Sequence, residues 1–221
     1  MGITRKNYDL QISRLKYDVL EMGRRVRAAM AAAVEALEGR DGEAAVAVRE
    51  ADAGINAMES AIHDECARLI AMEQPVARDL RIIMAMIKAA LELERIGDYA
   101  GNIARAAERA AGLPAARTAE AMPVIAAMAD LASRMLSDAV GSVLDGDVGR
   151  AEAAARMDDD VDRIYAGFLR DGIRGMAAEP EGIDGVLALL FAAKHVERIA
   201  DHAVNLCELA FYVENGENRE L

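Results

Sequence analysis

Apolar residues return every three or four positions along almost the whole chain, the period of an amphipathic α-helix rather than the alternation of a half-buried strand. The first segment shows it most clearly. Tyr8, Ile12, Leu15, Val19, Met22, Val26, Ala29, Ala33 and Leu37 alternate steps of four and three until the last step. Such a heptad-like stripe predicts a helix of about 30 residues, roughly 45 Å long at 1.5 Å per residue. Gly39-Arg40-Asp41-Gly42 predicts its end. A second stripe runs through Val48, Ile55, Met58, Ile62, Cys66 and Leu69. It closes at Glu73-Gln74-Pro75, where proline suits the first turn of a third helix reaching about Ala111. Gly112-Leu113-Pro114 reads as a boundary. The order then returns as a helix to Leu144, a turn at Asp145-Gly146-Asp147, a helix to about Gly175 and a last helix from Pro180 to Tyr212. All four prolines, Pro75, Pro114, Pro123 and Pro180, are expected between helices, where they cost no intrahelical hydrogen bond.

The expected class is therefore all-α, with six long helices in two tandem, homologous three-helix bundles over residues 1–112 and 113–221. The homology is visible directly. Residues 94–103 read ERIGDYAGNI and residues 197–206 read ERIADHAVNL, six identities in ten at an offset of 103. Pro75 and Pro180 match at an offset of 105, and Asp52 and Asp158 at 106, a drift that small loop-length differences explain. One three-helix unit of about 105 residues has been duplicated, which is too few copies for a solenoid.

Composition narrows the picture further. Hydrophobic residues make up 53% of the chain but aromatics only 4%, with no Trp, which suits helices packed through Ala, Leu, Ile, Val and Met. A net charge of −12 repels phosphate backbones, so a nucleic-acid partner is not expected, and phosphate itself would need a bridging cation. Cys66 and Cys207 are far apart, each inside an apolar helical pattern, so a disulfide framework is not expected and a reducing cytoplasm fits. The start, MGITRKNYDLQ, has no apolar signal core. The longest apolar run, Val186 to Ala193, falls far short of the ~18 residues of a membrane span, so no membrane insertion is expected.

Candidate chemistry sits in the repeated motif. Glu94 and Asp98 are four apart and lie about 40° from each other on a helix, close enough to converge on one site. Ile83, Ile87, Ala90 and Gly101 share that sector, which puts both acids in the apolar stripe. Arg81, Lys88 and Arg95 lie some 100° to 140° away, leaving no obvious cationic partner on the same helix. Glu197 and Asp201 repeat the geometry beside Val186, Leu190, Ala193 and Val204. Burying unpaired carboxylates costs several kcal/mol unless they are protonated, ion-paired or metal-bound. Each Glu-x-x-x-Asp pair is thus a candidate source of hard oxygen ligands for a cation. Asp52 and Glu59 on the second helix, and Asp158 and Asp162 on the fifth, are the candidates to complete the sets. The competing reading pairs the acids with arginines of other helices or with Asn102 and Asn205, or has them face a shallow groove between protomers. Partial burial of the four motif acids is expected.

Other constellations offer less. His63, His195 and His202 share no spacing, and no Glu-x-x-His of the di-iron helical bundles occurs. His63-x-x-Cys66 has no second Cys/His pair and reads as a core cysteine beside an unrelated histidine. Asp158-Asp159-Asp160 with Asp162 cannot share one face. Neither a glycine-rich phosphate loop nor a Gly-x-Ser-x-Gly elbow is present, so no catalytic residue is assigned.

The tandem ERIGDYAGNIA and ERIADHAVNLCE, the first within QPVARDLRIIMAMIKAALELERIGD, resemble the PhoU family of phosphate-signalling proteins over essentially the whole chain. The resemblance implies metal sites at Glu94, Asp98, Glu197 and Asp201. The expected cofactor is a metal ion or multinuclear cluster, with iron foremost and zinc, manganese or magnesium as alternatives. It further implies a cytoplasmic, non-enzymatic negative regulator of phosphate uptake, a homodimer that works with the phosphate transporter ATPase subunit and a sensor histidine kinase. The second repeat departs in having His202 for Tyr99 and Val204 for Gly101. The bulkier Val204 close to the ligand stripe leads to the expectation that the two sites differ in nuclearity or occupancy. Two other classes stand beside this one: a carboxylate-bridged metalloenzyme of helical-bundle type, and a structural helical dimer whose acids form a satisfied polar network.

Overall fold

The computed structural model describes residues 2–110, 115–178, 183–217 and 219–221, and all their regular structure is helical. The elements are α1 (Gly2–Gly39), α2 (Gly42–Glu73), α3 (Ala77–Ala110), α4 (Ala115–Asp145), α5 (Val148–Ala155), α6 (Asp158–Ala178) and α7 (Ile183–Asn215). These are the six expected rods, with the fifth jointed into α5 and α6 at Arg156–Met157. The joint explains the run of acids. Asp158, Asp159 and Asp160 form the first turn of α6, where carboxylates meet the positive end of the helix dipole.

Local chemistry sets the turns. Asp41 caps α2 by accepting hydrogen bonds from the backbone N–H groups of Glu43 and Ala44, both at 3.0 Å, while Arg40 turns the chain with a left-handed φ of 54°. Asp147 caps α5 by accepting from Arg150 N–H at 2.9 Å, after Gly146 has turned at φ 72°. Gln74 ends α2 in the left-handed region. The boundary at Gly112-Leu113-Pro114, and Pro180, lie outside the described residues. Pro123 departs from expectation, since it falls inside α4 and not between helices. Its missing N–H leaves the Ala119 carbonyl without its usual partner, and its exposed position in the first third of α4 lets solvent satisfy that group.

Two three-helix units result, α1–α2–α3 and α4–α5/α6–α7, joined by α3 against α7 and α1 against α4. The apolar stripes of both units merge into one buried core from Leu15 on α1 to Val213 on α7. Both cysteines are free and lie within it. Where α1 meets α4, a Cβ on Gly23 would come within 3.1 Å of Val140, so hydrogen lets the two helices approach closely.

The α3–α7 seam runs antiparallel over its whole length. Arg78 pairs with Glu214 at 2.7 Å, the Lys88 ammonium lies 5.1 Å from the Tyr212 ring centre, and Tyr99 lies against the rings of His195 and His202 at 5.7 and 5.4 Å. At its middle, His202 Nδ1 and Asn205 Nδ2 both meet Glu92 Oε2, at 2.6 and 3.1 Å. Burial alone would raise the Glu92 carboxyl, but these two contacts outweigh it and hold Glu92 below its ordinary value of 4.5. A depressed carboxyl stabilises the fold above its unfolded value and loses that contribution as pH falls through its folded one. Glu92→Gln should therefore cost about 1–2 kcal/mol at pH 7. The difference from wild type should close as pH falls below about 4.5, as measured by urea unfolding at a series of pH values.

Candidate functional site

Antiparallel α2 and α3 carry the first acidic cluster. Asp52 and Glu59 project from α2, Glu94 and Asp98 from α3, and all four are half-buried except that Asp98 retains 43% of its side-chain exposure. Their fields overlap. Burial pushes the Glu94 carboxyl up, and Asp98, then Asp52 and Glu59, push it further. Asp52 is likewise raised by burial and by Asp98. A cleft of about 230 Å³ opens beside Asp52 and Asp98, walled by Val46, Arg49, Gly101 and Arg105.

Gly97 brings the two helices together there. A Cβ at this position would lie 3.2 Å from Ile55 and 3.3 Å from Asp52 Oδ1, so a methyl would need both neighbours to yield by a few tenths of an ångström and anything larger would push α2 away. Asp52 Oδ2 accepts from the Asn56 amide at 3.3 Å, while Oδ1 is buried without a hydrogen-bond partner.

The second cluster repeats this between α6 and α7. Asp158 is driven up to about 6 by burial, then by Asp162, Asp201 and Glu197. Glu197 is 8% exposed, the most buried of the eight acids, whereas Asp162 stands in solvent. Oxygens of Asp158 (Oδ1) and Glu197 (Oε2) are buried and unpartnered. A cleft of about 470 Å³ flanks Asp158, with Val204 in the wall where the first cleft has Gly101 and with Arg219 and Leu221 beside it. Arg219 is anchored there by Glu152 at 3.2 Å and by the Phe211 ring, 4.9 Å to its centre. The four motif acids are thus partly or almost wholly buried, and Val204 lines the second cleft where Gly101 lines the first.

One expectation needs correction. The motif acids do have cations on their own helices. Arg95 spans the expected 100° to 140° arc with its long side chain, 61% exposed, to reach Glu94 and Asp98, both at 3.5 Å. Arg198 meets Asp201 at 3.0 Å and Lys194 meets Glu197 at 2.5 Å. The residue after each motif glutamate was the available signal, because Glu-Arg-x-x-Asp places arginine and aspartate three apart on one helix. These exposed arginine pairs contribute about 0–1 kcal/mol each and do not discharge the buried oxygens.

Among the described residues, no group of three or more His, Cys, Asp or Glu side chains is gathered tightly enough to hold a metal ion. The donor chemistry nevertheless suits a hard cation. Each cluster offers carboxylates alone, and each has a buried oxygen that no protein donor reaches. The histidines stay out of both sets. His63 is exposed while Cys66 is buried, His195 and His202 belong to the α3–α7 seam, and burial lowers His195.

The fold and these faces define a duplicated helical-bundle scaffold with one acidic cluster per half. The PhoU domain model matches twice, over residues 19–107 and 125–210. The phosphate-specific transport system accessory protein PhoU of Serratia marcescens is 34% identical over 214 residues, covering 96% of this chain and 86% of that one. The crystal structure of PhoU from Pseudomonas aeruginosa superimposes with a TM-score of 0.84 at 32% identity, covering 95% of this chain and all of that one. The phosphate transport system regulatory protein PhoU from Streptococcus pneumoniae gives 0.88 at 31% identity, covering 97% of this chain and all of that one. The chain belongs to the PhoU family.

Gly97 provides a test of the close helix approach. The second motif has Ala200 at the corresponding place, buried, so a single methyl is tolerated in that frame. Gly97→Ala should change stability by less than about 1 kcal/mol, and Gly97→Val should cost about 1–3 kcal/mol by driving Ile55 and Asp52 outward. Urea unfolding of the two variants distinguishes them.

Proposed function

We propose that this protein, an accessory component of phosphate transport, is a cytoplasmic negative regulator of phosphate uptake and phosphate-responsive signalling. It acts as a metal-binding adaptor between the high-affinity phosphate transporter, through its ATPase subunit, and a sensor histidine kinase, and it works as a homodimer. It is not an enzyme. The names of its relatives, accessory and regulatory proteins of phosphate transport, support the transport role. In keeping with a peripheral association, no helix among the described residues is long and apolar enough to cross a membrane.

The observation that carries the metal reading is the pair of semi-sheltered carboxylate clusters, each with a buried oxygen that no donor satisfies. In the first half Asp52, Glu59, Glu94 and Asp98 would hold the cation, and in the second Asp158, Asp162, Glu197 and Asp201. Iron leads the expected metals, ahead of zinc, manganese and magnesium. The bound metal supplies positive charge that lets the raised carboxyls stay ionised together. The residues do the rest: α2 and α6 bring one side of each set, α3 and α7 the other, so neutralisation ties each outer helix to the central pair. An accessory protein of this kind needs helical faces for partners rather than a nucleophile.

Elemental analysis of protein prepared without chelator should find Fe, Zn or Mn. Joint Glu94→Ala and Asp98→Ala substitution should strip the first cluster and leave the second loaded, since each half carries its own ligands. Protein that purifies metal-free and resists loading sinks the metal reading. Affinity capture should recover the transporter ATPase or the kinase, and association with neither at any phosphate concentration sinks the adaptor reading.

A further inference from the structure

The two acidic clusters are built on one plan but are not equivalent, and one difference that bears directly on charge is a sheltered ammonium group. Lys194 sits one turn before Glu197, with Nζ 2.5 Å from Glu197 Oε1 and 5.3 Å from the centre of the Tyr165 ring. The contact is sheltered, because Lys194 keeps only 32% of its side-chain exposure and Glu197 is more than nine-tenths buried. Subtracting the repeat offset of 103 puts Leu91 at the corresponding place in the first half, 47% exposed and without charge. Tyr165 likewise corresponds, at the offset of 106 that relates Asp158 to Asp52, to Glu59. The second cluster therefore has a lysine and an aromatic ring where the first has a leucine and a further carboxylate. The arginine after each motif glutamate occurs in both halves and is exposed in both, Arg95 reaching Glu94 and Asp98 at 3.5 Å and Arg198 reaching Asp201 at 3.0 Å. Each cluster thus carries a weak, solvent-screened arginine pairing, and the sheltered ammonium is added to the second alone.

We infer that Lys194 is a built-in competitor for the cation of the second cluster, so that a metal ion entering the first cluster meets only an exposed arginine and one entering the second must also displace a sheltered ammonium. The inference rests on the metal reading above and adds to it a residue that separates the two sites. An ammonium on Glu197 occupies one oxygen of the most buried acid and offsets one of the charges that attract a divalent ion. It leaves Glu197 Oε2 and Asp158 Oδ1 unsatisfied, so competition weakens the second site without abolishing it. The Tyr165 ring face helps to hold the ammonium beside Glu197.

Titration with Mn²⁺, read by loss of the free-ion electron paramagnetic resonance signal, tests this on the full chain. With the first cluster silenced by Glu94→Gln and Asp98→Asn, adding Lys194→Met should tighten the remaining Mn²⁺ class by about tenfold or more. Lys194→Arg on the same background should not, because the positive charge is kept. Conversely, Leu91→Lys in a chain silenced by Glu197→Gln and Asp201→Asn should weaken Mn²⁺ binding to the first cluster. Leu91 is half in solvent, so folding tolerates that change, and circular dichroism verifies it for every variant. Equal affinities for the Lys194→Met and Lys194 chains, or tightening by Lys194→Arg as large as that by Lys194→Met, would overturn the inference while leaving metal binding intact. Absence of Mn²⁺ binding in every chain, the unmutated one included, would overturn the metal reading itself.

Discussion

The antiparallel packing of α3 on α7 is the constraint on which the rest of the molecule depends. These two helices carry the duplicated motif, and each is the central member of its own three-helix unit. Because they pack against each other along their full length, their remaining apolar surface must be covered from the flanks, by α1 and α2 on one side and by α4, α5 and α6 on the other. The polar contacts of the seam, Glu92 with His202 and Asn205 and the Tyr99 ring against two imidazoles, set the register in an otherwise apolar interface. Apolar side chains alone specify register weakly, whereas a buried hydrogen bond has one position at which it can form.

That register decides where the carboxylates come to rest. With one edge of α3 and α7 used for the seam, the motif acids turn toward the outer helices and meet Asp52 and Glu59 or Asp158 and Asp162. The fold thereby concentrates negative charge where water is partly excluded, a configuration that disfavours the ionised state and shows as raised carboxyls at Asp52, Glu94 and Asp158. The arginines at the clusters stay peripheral, and the sheltered ammonium of Lys194 serves the second half alone. Duplication supplied two copies of a frame, and substitutions at a few positions around it, Leu91 against Lys194, Glu59 against Tyr165 and Gly101 against Val204, made the copies chemically distinct.

Most of the architecture was legible in the chain because long helices declare themselves through the spacing of apolar residues, and duplication doubles the signal. The turns at Arg40–Asp41 and Asp145–Asp147 were legible for a local reason, aspartate and glycine gathered between two apolar stripes, although the left-handed φ of Arg40 was not. Two details were hidden. Pro123 lies inside α4, since a proline near a helix start is read as a boundary until its surroundings show an exposed position where water can satisfy the freed carbonyl. The joint between α5 and α6 carries neither proline nor glycine, and Asp158-Asp159-Asp160 announces a helix start only once the break is known.

For the acidic clusters, the sequence alone determined which acids share a helical face and that the arrangement occurs twice, because four-residue spacing and internal repetition are properties of the chain. It could not decide which cations reach them. Arg95, Arg198 and Lys194 lie off the acidic face by angle but reach it by the length and bend of their side chains, and the Lys194 ammonium lies over the ring of Tyr165 from another helix. Only tertiary structure decided that Glu92 belongs to the seam rather than to a cluster, that Gly97 lets α2 close on α3, and that buried oxygens in both halves are left without partners. Each of these depends on distances between segments far apart in the chain, which periodicity along one helix does not encode.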